Sequence, residues 1–260
     1  MRFQREAQAI ARVNHNNIVQ IFDFGLSCEG IPYYTMEYLL GRSLEDRIKS
    51  RGPMEVAAAC ELFIQICHGL AVAHSKGIIH KDLKPANLFV EMSLCLEGIV
   101  ETAKIVDFGI ASLDGRKHEE RVFTTSGIIL GSPLYMSPEQ SIGGTVTESS
   151  DIYSLGCTLF HALAGRPPFY GSSALETMLL HQNVQAPSLK EASGGRDYPS
   201  ALEQIVATML AKSPGERQSS TGLVAAQLSE LRRDPQHRNL KNSTTQSTPA
   251  IAQQCSMGRL

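Results

Sequence analysis

From Val56 to His74 the apolar side chains fall at Val56, Cys60, Phe63, Ile64, Cys67, Leu70 and Ala71, the spacing of one face of an α-helix. A stripe that long has to be buried against other elements. The chain therefore needs a sizeable core, and its 260 residues are enough to build one. Beyond Gly77 the texture changes. Short strand-like fragments, Leu88-Phe89-Val90 and Lys104-Ile105-Val106, are joined by irregular chain carrying Asp82, Lys84, Asn87 and Asp107. A core helix leading into charged loops between short strands sets the centre of this fold.

On the N-terminal side, Arg2 to Val13 reads as a short amphipathic helix with Phe3, Ala7 and Ile10 on one face. Two extended runs follow, Ile18 to Phe24 and Pro32 to Tyr38, around a turn containing Cys28-Glu29-Gly30, and Gly41 breaks the pattern. On the C-terminal side, Ile152 to Gly165 is the most apolar stretch; it is too short to span a bilayer and reads as a buried helix. Capping boxes at Ser173–Glu176 and Ser200–Glu203 announce two more helices, the second with Leu202, Ile205, Val206, Met209 and Leu210 inward. Another helix is expected from Thr221 to Leu231. After Asp234-Pro235 the composition turns to Asn, Ser, Thr and Gln, too polar to offset ordering entropy. The expected organisation is one helix and two strands over 1–39, a mainly helical domain over 40–233 and a disordered polar tail over 234–260.

Charge narrows the function classes. With 24 basic and 26 acidic side chains the net charge is −2, which argues against nucleic acid or an anionic membrane surface as the main partner. The six cysteines form no CxxC pair, so buried thiols are expected rather than zinc or disulfides. No apolar leader segment is visible at Met1–Glu6, and a cytoplasmic location is expected.

The chemistry is concentrated in Ile79-His80-Lys81-Asp82-Leu83-Lys84-Pro85-Ala86-Asn87-Leu88 and in Asp107-Phe108-Gly109. Two carboxylates and an amide oxygen are hard ligands suited to Mg²⁺, which usually keeps water and substrate phosphates as well. A lysine beside them can neutralise a phosphoryl group. Phosphoryl transfer asks for this combination of positioning, charge neutralisation and a group to accept the hydroxyl proton.

These motifs resemble the protein-kinase signature: a catalytic loop at His80-Lys81-Asp82 with Asn87, a magnesium loop at Asp107-Phe108-Gly109, and Ser137-Pro138-Glu139 ending the activation segment. The texture of Gly131 to Gln140 and of Asp151-Ile152-Tyr153-Ser154-Leu155-Gly156 is similar to the bacterial Hanks-type serine/threonine kinases. The resemblance implies an α+β protein-kinase-like fold with a nearly complete helical C-lobe and a partial N-lobe of helix C and two strands. It implies ATP-dependent phosphorylation of serine or threonine in a protein substrate, with ATP and Mg²⁺ as cofactors.

The resemblance also assigns roles. Asp82 is the base, Lys84 contacts the transferred phosphate, and Asn87 and Asp107 hold Mg²⁺. Glu37 to Leu39 is the hinge whose backbone holds adenine, with Met36 as gatekeeper and Phe89 under the ring. Asp151 braces the catalytic loop, Glu139 and Arg217 form a buried ion pair, and His80 packs in a spine with Ile10, Ile21 and Phe108. Lys81 stands where arginine is usual and faces the regulatory hydroxyls Thr124, Thr125 and Ser126; Ser132 lies in the same segment. A dimer or further domains are expected in a longer parent, with no direct membrane contact by this chain.

Two further features depart from the pattern. Glu6, in Arg5-Glu6-Ala7, matches the helix glutamate, yet no glycine-rich loop precedes it and no lysine stands in a Val-Ala-Ile-Lys context. The segment Glu91 to Thr102 is longer than usual and reads as an extended hairpin turn. The expectation is little kinase activity from this chain alone, as a fragment of an active parent; the alternative is a pseudokinase serving as a binding module.

Overall fold

Gly30, at φ +76°, closes a turn in which Ser27 N–H donates to the Ile31 carbonyl (2.8 Å) and Gly30 N–H to the Ser27 carbonyl (2.9 Å). It joins β1 (Ile21–Leu26) to β2 (Pro32–Met36) as an antiparallel ribbon, with a register shift between Ile21 and Asp23. The computed structural model describes residues 10–11, 13–95, 98–108 and 133–233. Most of the helix expected over Arg2 to Val13, Glu6 included, and the whole tail from 234 lie outside these residues.

The first strand starts later than its apolar run suggests. Ile105 N–H donates to the Asn17 carbonyl (2.9 Å) and Val19 N–H to the Ile105 carbonyl (3.0 Å), so residues 17–19 pair with a different sheet. That sheet is β3 (Gly41–Ser43), β4 (Leu88–Cys95) and β5 (Gly98–Ile105), antiparallel throughout and in that order. Gly41 is therefore a strand residue and not a break. A Cβ there would lie 2.1 Å from the Val90 carbonyl oxygen, so only glycine lets β3 approach β4. The expected hairpin turn from Glu91 to Thr102 is corrected too: both sides continue as strand to the Cys95–Gly98 pair.

Helix α1 (Leu44–Arg51) starts where Ser43 Oγ accepts the Asp46 N–H, has Glu45 and Asp46 in its first turn, and ends at Gly52. Helix α2 (Val56–Ser75) buries Cys60, Phe63, Cys67 and Leu70 of the predicted stripe, but its inward face is turned toward Leu62 and Ile66, which leaves Val56, Ile64 and Ala71 half-buried. Among the described residues, α2 rather than Ile152–Gly165 is long and apolar enough to cross a bilayer by length and composition. Here it lies along α8 (Thr221–Arg233) and β5.

Two single turns, α3 (Pro138–Ser141) and α6 (Leu189–Ala192), carry complete capping boxes. Between them run α4 (Glu148–Ala164), buried along almost its whole length and ended by Gly165 at φ +78°, and α5 (Ala174–Asn183). Ser173 caps α5, but the Glu176 carboxylate turns back to Ser172 N–H (2.6 Å). The box predicted at Ser200–Glu203 does not form. Pro199 stands at the cap of α7 (Ser200–Met209), and Glu203 instead accepts the Leu189 and Lys190 N–H groups at 2.9 and 3.0 Å, capping α6 from outside. Cys60, Cys67 and Cys157 are buried free thiols and Cys28 is exposed.

Candidate active site

The catalytic loop hangs from α4. Asp151, fully buried, accepts the His80 N–H on Oδ2 (2.8 Å) and the Lys81 N–H on Oδ1 (2.9 Å), and His74 Nε2 lies 2.8 Å from Oδ2. Lys81 is held at φ +70°, a left-handed conformation strained for a side chain of its size, and its carbonyl accepts Gln140 Nε2 at 2.8 Å. His80 is fully buried with Nε2 2.9 Å from the Val106 carbonyl and its ring 4.7 Å from that of Phe108. Burial pushes its pKa down against the pull of Asp151, so it is a neutral packing group. Ile10, Ile21 and Phe108 belong to the same buried cluster.

The loop brings three of the candidate residues into contact. Lys84 Nζ is 2.6 Å from Asp82 Oδ2, and Asn87 Nδ2 donates to the Asp82 carbonyl (2.8 Å) and to Oδ2 (3.2 Å). With the amide nitrogen committed to Asp82, the Asn87 side-chain oxygen is left as an acceptor. Val106 N–H donates to the Asn87 carbonyl (3.0 Å), so the magnesium-loop strand end is tied to the catalytic loop. Asp107 follows at φ +56°, the second non-glycine residue in the left-handed region, and its Oδ1 accepts the Tyr34 hydroxyl at 2.7 Å. Burial and then this carboxylate push the Tyr34 pKa up to about 12.

At the lobe junction, Glu37 is occupied. Its Oε1 accepts Gln20 N–H (2.8 Å) and Lys104 Nζ (2.7 Å), and its own N–H donates to the Gln20 carbonyl (2.9 Å). Among the described residues, the Glu37 carbonyl and the Leu39 N–H make no backbone hydrogen bond. Phe89 is half-buried on the face of β4 opposite Leu88 and Val90, paired with Ser43 and Lys104. Met36 ends β2 and is 43% exposed.

Below the site, Arg217 and Glu139 meet in a bidentate pair at 2.8 and 2.9 Å, with Ser150 Oγ donating to Glu139 Oε1 at 2.6 Å. Burial pushes the Glu139 carboxyl up, but the Arg217 and Ser150 hydrogen bonds outweigh it and hold it below the usual range. Gly109, Thr124, Thr125, Ser126 and Ser132 lie outside the described residues, and so does any contact of Lys81 with them. Sequence reasoning missed Tyr34, His74, Gln140 and Lys104. Each acts across the fold, and the local sequence holds no signal for it.

A buried aspartate thus clamps two backbone amides, a lysine and an asparagine meet on one loop carboxylate, and a second carboxylate stands at a strand end. The protein kinase domain family matches residues 1–229, and the chain belongs to that family. It is similar to the serine/threonine-protein kinase pkn3 of Myxococcus xanthus, 31% identical over 251 residues that cover 96% of this chain and 45% of that protein. With PrkC of Bacillus subtilis the identity is 38% over 216 residues, covering 83% and 31%. The solved kinase domain of Mycobacterium tuberculosis PknI superposes with a TM-score of 0.66 at 26% identity, covering 88% of this chain and 77% of that one. These are bacterial Hanks-type relatives, and the chain spans less than half the length of the two curated ones. Membership implies ATP as a substrate, typically with Mg²⁺, and protein as the phosphate acceptor.

Proposed function

We propose that this chain is the catalytic core through which a longer bacterial protein phosphorylates serine or threonine, with Asp82 receiving the acceptor hydroxyl's proton. The observation that carries this is the pairing of Asp82 with both Lys84 and Asn87. The Lys84 ammonium lies against the Asp82 carboxylate and supplies positive charge for the phosphoryl group in transfer. Asn87 donates to the same Oδ2 and to the Asp82 carbonyl, so the base is oriented before substrate arrives.

The donor set fits a magnesium ion: the Asp107 carboxylate and the Asn87 amide oxygen are hard oxygens, and no group of three His, Cys, Asp or Glu side chains forms an all-protein metal cage among the described residues. When bound there, Mg²⁺ supplies charge neutralisation to the nucleotide phosphates. The free Glu37 carbonyl and Leu39 N–H offer one acceptor and one donor for an adenine edge, and half-buried Phe89 on β4 offers an apolar ring. The test is Asp82→Asn in the longest available reading frame containing this chain, assayed with labelled ATP and a serine-containing protein. A fall of roughly 10²–10⁴ in turnover is expected from loss of the base; near wild-type turnover would reject the assignment.

A further inference from the structure

Away from the catalytic loop, three arginines converge on one small cavity. Arg47 and Arg51 stand one turn apart on α1, Arg42 is on the edge strand β3, and Gly41, Val90 and the cross-strand pair Met92 and Glu101 complete the lining. The cavity holds about 80 Å³. That is small beside the roughly 300 Å³ or more of a drug-sized pocket, and a water molecule occupies about 30 Å³, so a single tetrahedral oxyanion fits and a nucleotide does not.

The charges there are unbalanced. Three guanidiniums face one carboxylate, a lining charge of +2. Glu101 Oε1 is 3.6 Å from Arg47 Nε, beyond hydrogen-bond reach, and the Arg47 side chain is only 12% exposed. Its Nε is buried with no hydrogen-bond partner among the described residues. Arg42 reaches only Ser50 Oγ, at 3.4 Å, and neither Arg42 nor Arg51 has a carboxylate partner among the described residues. Nearby acids are already engaged: Asp46 with Ser43, Glu45 with Lys49, and Glu91 with Leu40 N–H. A buried donor without a partner keeps its desolvation cost uncompensated, and a doubly charged oxyanion matches both the missing acceptor and the surplus charge.

We infer that Arg42, Arg47 and Arg51 form a binding site for a phosphoryl group, separate from the catalytic loop. Planar guanidiniums grip such groups through paired N–H donors. Free phosphate and a phosphorylated side chain of a protein share this chemistry.

The test is calorimetric titration of the full chain at constant ionic strength with inorganic phosphate, with a phosphoserine peptide and with its unphosphorylated twin. Saturable one-to-one binding is expected for the phosphorylated ligands, weakened roughly tenfold or more in Arg51→Gln, since a charge-assisted contact is lost. Arg51 is exposed, so this variant should melt like wild type; Arg47→Gln serves as the stronger second variant. Binding of both phosphate and phosphopeptide marks a general oxyanion site, and binding of the phosphopeptide alone marks a reader of modified protein; either supports the proposal. Absence of saturable binding overturns it, as does binding unchanged in both arginine variants. A heat that survives in Arg51→Gln but vanishes in Lys84→Ala assigns the phosphate to the catalytic loop and overturns it equally.

Discussion

Replacing Arg217 with methionine should be among the most damaging single changes in the helical lobe. All five donors of this guanidinium are used: Nε to the Ala211 carbonyl (2.9 Å), one terminal nitrogen to Glu139 and Ser149, the other to Glu139 and Lys212. The side chain is 0% exposed, its carboxylate partner 12%, and the guanidinium lies 4.8 Å above the Tyr153 ring. Methionine fills much of the volume but leaves the Glu139 carboxylate buried without its counter-charge and three backbone carbonyls without their donor. Breaking one side of such a pair costs about 3–5 kcal/mol. For a chain of this size each kcal/mol is worth roughly 2–4 °C, so the melting temperature should fall by about 10 °C. Because the folded Glu139 pKa lies below its ordinary value, its contribution is present above the unfolded pKa and lost only as pH falls through the folded one; pH 7 is the correct condition. The assay is urea unfolding of wild type, Arg217→Met, Glu139→Leu and the double variant. The double should cost less than the sum of the singles, because it removes both charges together. A loss below about 1 kcal/mol for Arg217→Met, or strict additivity, would refute the reasoning.

The other predictions concern the magnesium loop, the sheet and pH. Tyr34→Phe frees one Asp107 oxygen and should tighten Mn²⁺ binding, read by electron paramagnetic resonance, about fivefold, for a hydrogen bond worth about 1 kcal/mol; unchanged binding rejects this competition. Gly41→Ala forces a Cβ against the Val90 carbonyl and should destabilise by about 1–3 kcal/mol in thermal melts, and Gly52→Ala, in open space but at φ +74° and ψ −166°, should cost a similar amount through backbone strain alone. His15, His80, His161 and His181 all have pKa values lowered chiefly by burial, that of His181 to about 4. Between pH 6.5 and the folded values the unfolded chain binds more protons, so stability present above pH 6.5 is lost as pH falls toward 4. Urea midpoints between about pH 7.5 and 4.5 should decline, and His181→Gln should flatten that decline; a flat wild-type profile would count against it.

The sequence by itself determined the long core helix, the buried apolar body of α4, the Ser173 cap and the order of the catalytic-loop and magnesium-loop motifs, because each depends on periodicity or spacing within one element. It determined the family for the same reason: Asp82, Lys84 and Asn87 meet on a single short loop, so their spacing already implies their contact. Tertiary structure alone decided the rest. Gly41 became a strand residue because the Val90 backbone passes within reach of it, 49 residues away in sequence. Glu203 caps α6 instead of its own helix start because the fold brings it against the N–H groups of Leu189 and Lys190, 14 and 13 residues back. Tyr34 reaches Asp107 across 73 residues, and Lys81 accepts a left-handed backbone because Asp151 holds its amide from 70 residues away. Donors and acceptors buried by packing must find partners wherever the fold brings them, and no local pattern encodes where that is.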